Sequence, residues 1–192
     1  MTQPLRPAIF IDKDGTLLDD VPWNVDPLKM RLAPGALDAL RLFSWLELPI
    51  FVISNQSGVA LGKFDLQALD RVEARLRELA AEAGASFAGI YWCPHHPRGV
   101  VPEFTRACEC RKPAPGLLLR AACEHGIDLS QSWFIGDILD DVEAGHRAGC
   151  RSALIDNGNE TEWLKGVGRE PDIVAKDLYE AAIAVVNAEC PA

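Results

Sequence analysis

No stretch of the 192-residue sequence approaches the ~18 consecutive apolar residues that a membrane-spanning helix needs. The segment from Met1 to Pro7 lacks the apolar centre of a signal peptide. Together these two absences point to the cytosol. Positive charge is scarce as well: 19 Lys and Arg stand against 28 Asp and Glu, a formal net charge of −9. That balance excludes a surface built to hold duplex nucleic acid through clustered cations, and any anionic ligand must be attracted by a local site against the field of the whole molecule. No internal repeat, low-complexity tract or linker is visible, so residues 1–192 read as a single domain, long enough to bury a core without disulfides. No exposed pattern for pairing two copies is present either, which makes a monomer the default. Six cysteines could form three disulfides, but in the absence of an export signal they read better as metal ligands or small buried side chains.

What is there is the composition of a globular protein, 48% hydrophobic and 24% charged, arranged as short apolar runs alternating with helical patterns. Pro7–Ile11, Pro49–Ile53, Phe87–Trp92, Trp133–Ile135 and Arg151–Ile155 read as five buried strands. Helices are expected over Gly35–Leu46, with Leu37, Leu40, Phe43 and Leu46 on one face, and after Asp65 as N-cap, with Leu69, Val72, Leu76 and Leu79 inward and Gly84 as terminator. Further helices are expected over Pro115–Gly126, with Leu118, Leu119, Ala122 and Cys123 inward, over Asp141–Ala148 and over Asp177–Ala188. Cys123, Cys150 and Cys190 fit as buried residues. Asp19–Pro34 reads as loop with at most a short helical turn, and Cys93–Pro115 as a long loop in want of an anchor. The alternation implies an α/β fold, a doubly wound parallel sheet with helices on both faces and ligands beyond the carboxyl ends of the strands.

The polar clusters fall at those ends. Asp12 and Asp14 lie two residues apart with Gly15 next, so a sharp turn can aim both carboxylates into one cleft. Close like charges require a cation between them or a proton on one. Asp137 can add a third oxygen, and such a set suits magnesium, which commonly bridges protein carboxylates and a phosphate. The bland reading makes Asp12 and Asp14 turn caps, and Asp137 and Asp141 helix caps; the joint placement after two strands favours chemistry. In Thr105–Pro115, T-R-A-C-E-C-R-K-P-A-P, Arg111 and Lys112 call for an anion. Cys93-x-His95 followed by Cys108-x-Cys110 offers four ligands in two close pairs, which suits a closed, structural zinc site. His96 competes with His95 for the histidine position, and burial or a redox pair are the alternatives for the cysteines.

Asp12-x-Asp14-Gly15-Thr16, Ser54-Asn55-Gln56, Lys112-Pro113 and Gly136-Asp137-x-x-x-Asp141 resemble the four ordered motifs of the haloacid dehalogenase (HAD) phosphatases over residues about 8 to 150. The resemblance implies a Rossmann-like HAD core in which Asp12 is the nucleophile that forms an aspartyl-phosphate. Asp14 is then the acid that protonates the leaving alcohol and later the base for water. Ser54 and Lys112 hold the phosphoryl oxygens. Magnesium would rest on Asp12, the Asp14 backbone carbonyl and Asp137, with Asp141 behind them or steadying Lys112. The zinc loop, with Cys93-Pro94-His95-His96-Pro97 and Cys108-Glu109-Cys110-Arg111-Lys112-Pro113, is similar to that of the heptose-1,7-bisphosphate 7-phosphatase branch, and the related histidinol-phosphate phosphatases are the nearest alternative. Within that branch Arg111 is the candidate for a second phosphate, and Asn55 and Gln56, beside Ser54, are candidate substrate contacts. Nothing between the motifs is long enough for a large cap domain, so selection falls to loops, where Asp20 could accept hydroxyl hydrogen bonds and Trp23 could pack on a sugar face. Ile138 departs from the branch, which often has a basic residue after the motif aspartate. More distant alternatives are a polynucleotide 3′-phosphatase, disfavoured by the acidic balance, and a zinc-stabilised binding module without activity, against which the intact motifs argue.

Overall fold

Apolar runs too short for helices are buried on both sides as strands, and this fixes the frame. The computed structural model describes residues 4–189. Six strands among them form one parallel sheet: β1 Ile9–Ile11, β2 Ile50–Asn55, β3 Phe87–Cys93, β4 Trp133–Gly136, β5 Arg151–Ile155 and β6 Ile173–Ala175. Their order is β3-β2-β1-β4-β5-β6. Helices α1 Ala36–Trp45, α2 Ala68–Glu82, α3 Gly116–His125, α4 Leu139–Ala148 and α5 Leu178–Glu189 cover the two faces. Because side chains alternate along a strand, Ile9, Ile11, Ile50, Val52, Trp133 and Ile135 enter one apolar layer with α1, α2 and α5, while Phe10, Phe51, Ile53 and Phe134 enter the other with α3 and α4. Phe10 and Phe51 stack in that second layer with ring centroids 5.2 Å apart.

The doubly wound sheet expected from the alternation is therefore present, and the order places the reversal of winding between β1 and β4. From β1 the chain moves outward through β2 to β3, then returns to build β4, β5 and β6 on the other side. The loops after β1 and β4 diverge there and leave a crevice at the carboxyl edge.

Several expectations need correction. A sixth strand, Ile173–Ala175, closes the edge beyond β5. On α3 the buried residues are Leu117, Leu118, Ala121 and Ala122, whereas Leu119 is 47% exposed and Cys123 lies at the surface. Cys150 is buried as expected, and Cys190 lies outside the described residues. α4 begins at Leu139 rather than Asp141. On α1 the buried stripe is Ala36, Ala39, Leu40 and Phe43, with Leu37 only partly covered. Asp65 does cap the start of α2, accepting from the Ala68 amide at 2.8 Å, although regular helix starts at Ala68. Short 3-10 turns occupy Pro27–Lys29, as allowed for, and Pro102–Phe104 within the zinc-type loop. No helix among the described residues is long and apolar enough to cross a membrane.

Candidate active site and metal centre

Asp12 is the first residue past β1, and its amide donates to the Ile135 carbonyl of β4 at 2.9 Å, which locks the turn to the neighbouring strand. Leu17 and Leu18 then donate back to the Lys13 carbonyl at 3.1 and 2.8 Å, folding residues 12–18 into a tight loop. Gly15 is needed there for two reasons. Its φ is +79°, a conformation that side chains disfavour, and a Cβ on it would lie 2.0 Å from Asp137 Oδ2. Gly136 has the same crowding on the other side of the crevice, since its Cβ would sit 2.3 Å from the Asp141 Cβ. Gly15 lets the β1 and β4 loops close on each other, and Gly136 lets Asp141 at the start of α4 fold back against the end of β4.

Their carboxylates meet as a result. Ligand oxygens of Asp12, Asp137 and Asp141 all lie within 4.8 Å of one another, and all three residues are buried. Into this cluster reaches Lys112, 100 residues away in sequence from Asp12, with Nζ 2.6 Å from Asp12 Oδ1 and 2.5 Å from Asp141 Oδ1. Asn55, at the end of β2, holds the lysine backbone from both sides: its Oδ1 accepts from the Lys112 amide at 3.0 Å and its Nδ2 donates to the Lys112 carbonyl at 3.2 Å. The Lys112–Pro113 peptide is cis.

Three carboxylates facing one ammonium leave the cluster short of positive charge. Burial drives the Asp12 carboxyl up to about 7; Lys112 opposes the shift, while Asp141 and Asp14 add to it. Burial likewise pushes Asp137 up to about 7, with repulsion from Asp12 added. Burial alone would lower Lys112, but Asp12 and Asp141 hold its ammonium well above the usual range. Hard oxygen donors, buried, close together and under-compensated are the donor set that a small divalent cation satisfies, so the residues present fit magnesium.

Asp14 is not among the three clustered carboxylates. Its Oδ1 pairs with Lys13 Nζ, and its Oδ2 accepts from Gln56 Nε2 at 3.0 Å; the same Gln56 nitrogen donates to Ser54 Oγ at 2.9 Å. Asp12, Asp14, Asp20, Ser54, Asn55, Lys112, Asp137, Ile138 and Asn159 line one open cleft of about 230 Å³. A second cavity of about 290 Å³ lies against it, sharing Asp14, Asp20 and Asn55 and adding Gln56, Trp23 and Asn24. Trp23 holds φ +57°, rare for a residue with a side chain, and is half exposed over that cavity. Arg111 does not line the cleft; its Nη1 is buried without a hydrogen-bond partner. Ile138 does line it, so an apolar side chain stands on the cleft wall.

The quartet in the long loop also assembles. Cys93, His95, Cys108 and Cys110 converge with sulfur separations of 3.0 to 3.6 Å, and His95 Nδ1 lies 3.2 Å from the Cys110 sulfur. These spacings exceed the ~2.05 Å of a disulfide and approach the ~3.8 Å edge of a tetrahedron of zinc–sulfur bonds. His96 points elsewhere, accepting at Nδ1 from the Arg98 amide at 3.1 Å. Geometry thus selects His95. Cys110 lies two residues before Lys112, so whatever anchors the quartet anchors the lysine loop.

Sequence reasoning missed a contribution from the loop after β5. Asn159 Nδ2 donates to Asp137 Oδ2 at 2.7 Å, Asn157 Nδ2 donates to the Gly15 carbonyl at 2.7 Å, and Glu160 accepts from the Leu139 amide at 2.7 Å. Thr16, named only as a motif member, donates its hydroxyl to Asp137 Oδ1 at 3.1 Å. The rule that ligands gather beyond the carboxyl ends of strands applies to β5 as well and was the available signal.

Known proteins resemble this chain in sequence and in fold. Residues 109–181 match the HAD-hydrolase-like family. The chain is 39% identical over 155 residues to the D-glycero-beta-D-manno-heptose-1,7-bisphosphate 7-phosphatase of Yersinia pestis, covering 81% of this chain and 82% of that one. It is 34% identical over 183 residues to the enzyme of the same name from Pseudomonas aeruginosa, covering 95% and 99%. Among solved structures, the D,D-heptose 1,7-bisphosphate phosphatase of B. bronchiseptica, complexed with magnesium and phosphate, superposes with a TM-score of 0.76 at 27% identity, covering 95% of this chain and 99% of that one.

Proposed function

This chain belongs to the heptose-1,7-bisphosphate 7-phosphatase family of HAD-like hydrolases, and from that premise we propose that it removes the 7-phosphate of D-glycero-D-manno-heptose 1,7-bisphosphate through an aspartyl-phosphate on Asp12. The observation that carries the reading is the convergence, at the reversal of winding, of Asp12, Asp137 and Asp141 with a lysine from the far side of the sequence. In the first step an Asp12 oxygen attacks phosphorus and the bond to the sugar oxygen breaks, the departing oxygen taking a proton from the Asp14 carboxyl. In the second, water attacks the phosphoryl group, Asp14 takes a proton from it, and Asp12 is released with inorganic phosphate. Asp14 is suited to both transfers because it borders both cavities, within reach of the leaving group and of solvent.

Lys112 and the Ser54 hydroxyl hold the non-bridging phosphoryl oxygens, where charge shifts as bonds change. The Asp12 and Asp137 carboxylates and the Asp14 carbonyl would hold magnesium, which when bound neutralises phosphoryl charge and relieves the repulsion between the carboxylates. Zinc would be held by Cys93, His95, Cys108 and Cys110 in a structural role. Asp20, Trp23, Asn55 and Gln56 form the substrate set around the cavity beside the cleft, where the Asp20 carboxylate and the Trp23 ring face a polyol; Arg111, which lines neither cavity, is the candidate for the second phosphate by its place next to Lys112. The protein works in this reading as a cytosolic monomer, one catalytic domain, on a small phosphorylated sugar.

Two measurements test it. Asp12→Asn should abolish turnover while leaving the circular dichroism spectrum and melting temperature close to wild type; normal activity in that variant refutes the nucleophile. In a magnesium-containing panel of phosphate esters, kcat/KM should be highest for the heptose bisphosphate. A clear preference for histidinol phosphate would overturn the substrate and leave the chemistry standing.

A further inference from the structure

We propose that Asn159 is a positioning residue for the metal-binding carboxylate Asp137, buckled into place by Asn157, so that the loop after β5 joins the loops after β1 and β4 in setting magnesium affinity. The inference rests on the magnesium reading above. Asp137 has both carboxylate oxygens held by donors from other loops, Oδ1 by Thr16 at 3.1 Å and Oδ2 by Asn159 at 2.7 Å. An ionised carboxylate has about four lone-pair sites, so two fixed donors leave the remaining pairs aimed in set directions without filling them. The side chain is thereby oriented before any ion arrives.

The contact is built from both sides. Asn159 does not reach Asp137 from a free loop, because its own amide donates to Asn157 Oδ1 at 3.1 Å, and Asn157 in turn spends its Nδ2 on the Gly15 carbonyl of the β1 turn at 2.7 Å. Glu160 ties the next residue to the start of α4 through the Leu139 amide at 2.7 Å. Independently, a Cβ at Gly15 would lie 2.0 Å from Asp137 Oδ2 and 2.4 Å from Asn159 Nδ2. The missing side chain at position 15 leaves open the space in which that amide and that carboxylate meet. Asn157 is exposed and Asn159 half-buried, so neither owes its place to the core. Two amide side chains at the surface are directed inward, at the β1 turn and at Asp137.

Removing such an outer partner of a metal ligand typically weakens metal binding about 10- to 100-fold. The test is a calorimetric titration of Mg2+ into the full-length, zinc-loaded protein, with kcat at saturating Mg2+ measured alongside. Asn159→Ala should raise the Kd for Mg2+ about tenfold and leave kcat at saturation within about threefold of wild type. Asn157→Ala, which loosens the buckle without touching Asp137, should raise the Kd less, by about threefold. A Kd within twofold of wild type in Asn159→Ala overturns the proposal, and so does a variant whose kcat falls at saturating Mg2+ with the Kd unchanged, which would make Asn159 a substrate contact. Should Asn159→Ala not fold, an unchanged Kd in Asn157→Ala is the overturning result. Asp137→Ala in the same titration separates the two levels: if wild type binds Mg2+ and Asp137→Ala does not, the magnesium reading stands whatever Asn159 does, and if wild type binds none, it is that reading that has failed.

Discussion

Lys112→Met removes the one ammonium within the buried carboxylate cluster and keeps most of the side-chain volume. In the native protein Lys112 makes two ion pairs, 2.6 Å to Asp12 and 2.5 Å to Asp141, with both partners almost fully enclosed. Breaking a buried pair by deleting one partner costs about 3–5 kcal/mol, because a charge is left without compensation. For a chain of this size about 2–4 °C of melting temperature goes with each kcal/mol, so the variant should melt roughly 6–20 °C lower in magnesium-free buffer near pH 8. The sign of the pH dependence follows from which groups titrate. Lys112 is held above its ordinary value, so it stays charged at every pH below about 10 and its own ionisation adds no pH dependence across the working range. Asp12 and Asp141, by contrast, are held above the usual carboxylate range, and without the lysine they rise further. A folded state that retains protons the unfolded chain has lost becomes less stable as pH rises. The deficit of Lys112→Met against wild type should therefore be small near pH 5 and widen toward pH 8.5. Adding Asp141→Asn removes one stranded carboxylate, so the double variant should regain several degrees while activity stays at least ~10³-fold down, the loss expected when a donor to the transferring group is gone. Thermal melts of the two variants at three pH values decide the matter. A single variant that melts with wild type at pH 8, or a double variant no more stable than the single, would show that the buried charges are not balanced as described.

Magnesium should bind more tightly as pH rises from 6 to 8, since Asp12 and Asp137, both near 7 through burial, must ionise to ligate it; a Kd that is flat across this range would contradict the assignment. The same groups make the metal-free protein lose stability between about pH 4 and 7, the span between their unfolded and folded values, and a thermal-shift titration should show the Mg2+-induced gain growing up to about pH 7 and levelling above it. Zinc should be found at one equivalent in wild type and in His96→Ala and be lost from His95→Ala, as read by elemental analysis of protein purified without chelator; equal zinc in both variants would remove His95 from the quartet.

Much of the site was legible because its chemistry is carried by charged residues and thiols placed directly after strands. Asp12 follows β1, Ser54 and Asn55 close β2, and Asp137 follows β4, so once the apolar runs were recognised their loops had to share one edge of the sheet. Less legible were features carried by uncharged or ambiguous residues. In Gly116–His125 the run Leu117-Leu118-Leu119 and the run Ala121-Ala122-Cys123 fit a helical stripe in two phases one residue apart. Packing against the sheet selected the phase with Leu117 and Ala121 inside, which periodicity alone does not distinguish. Strand β6 has three residues, with Val174 largely exposed, too little for an alternating pattern to register. Asn157 and Asn159 carry no charge and follow a strand through an Asn-Gly turn, so their composition signals only a loop.

The sheet order also explains why a lysine so distant in sequence can serve this site. β1 lies between β2 and β4, so the loops after these three strands surround a single point, and a cation placed there must arrive from a segment that crosses over their ends. The chain between β3 and α3 makes that crossing without regular structure, apart from the turn at Pro102–Phe104. Such a segment would hold Lys112 poorly on its own, because ordering each residue of a loop costs conformational entropy that few packing contacts offset. Two attachments bracket the lysine instead. Asn55 binds its amide and its carbonyl with one side chain, and the quartet fixes Cys110 two residues earlier to Cys93 at the end of β3. The first sets the height of Lys112 above the sheet, and the second sets the direction from which the loop approaches. The Cys93–His95–Cys108–Cys110 quartet, remote from the chemistry, and an asparagine at the end of β2 thus act on the same ammonium, and the placement of Lys112 draws on both.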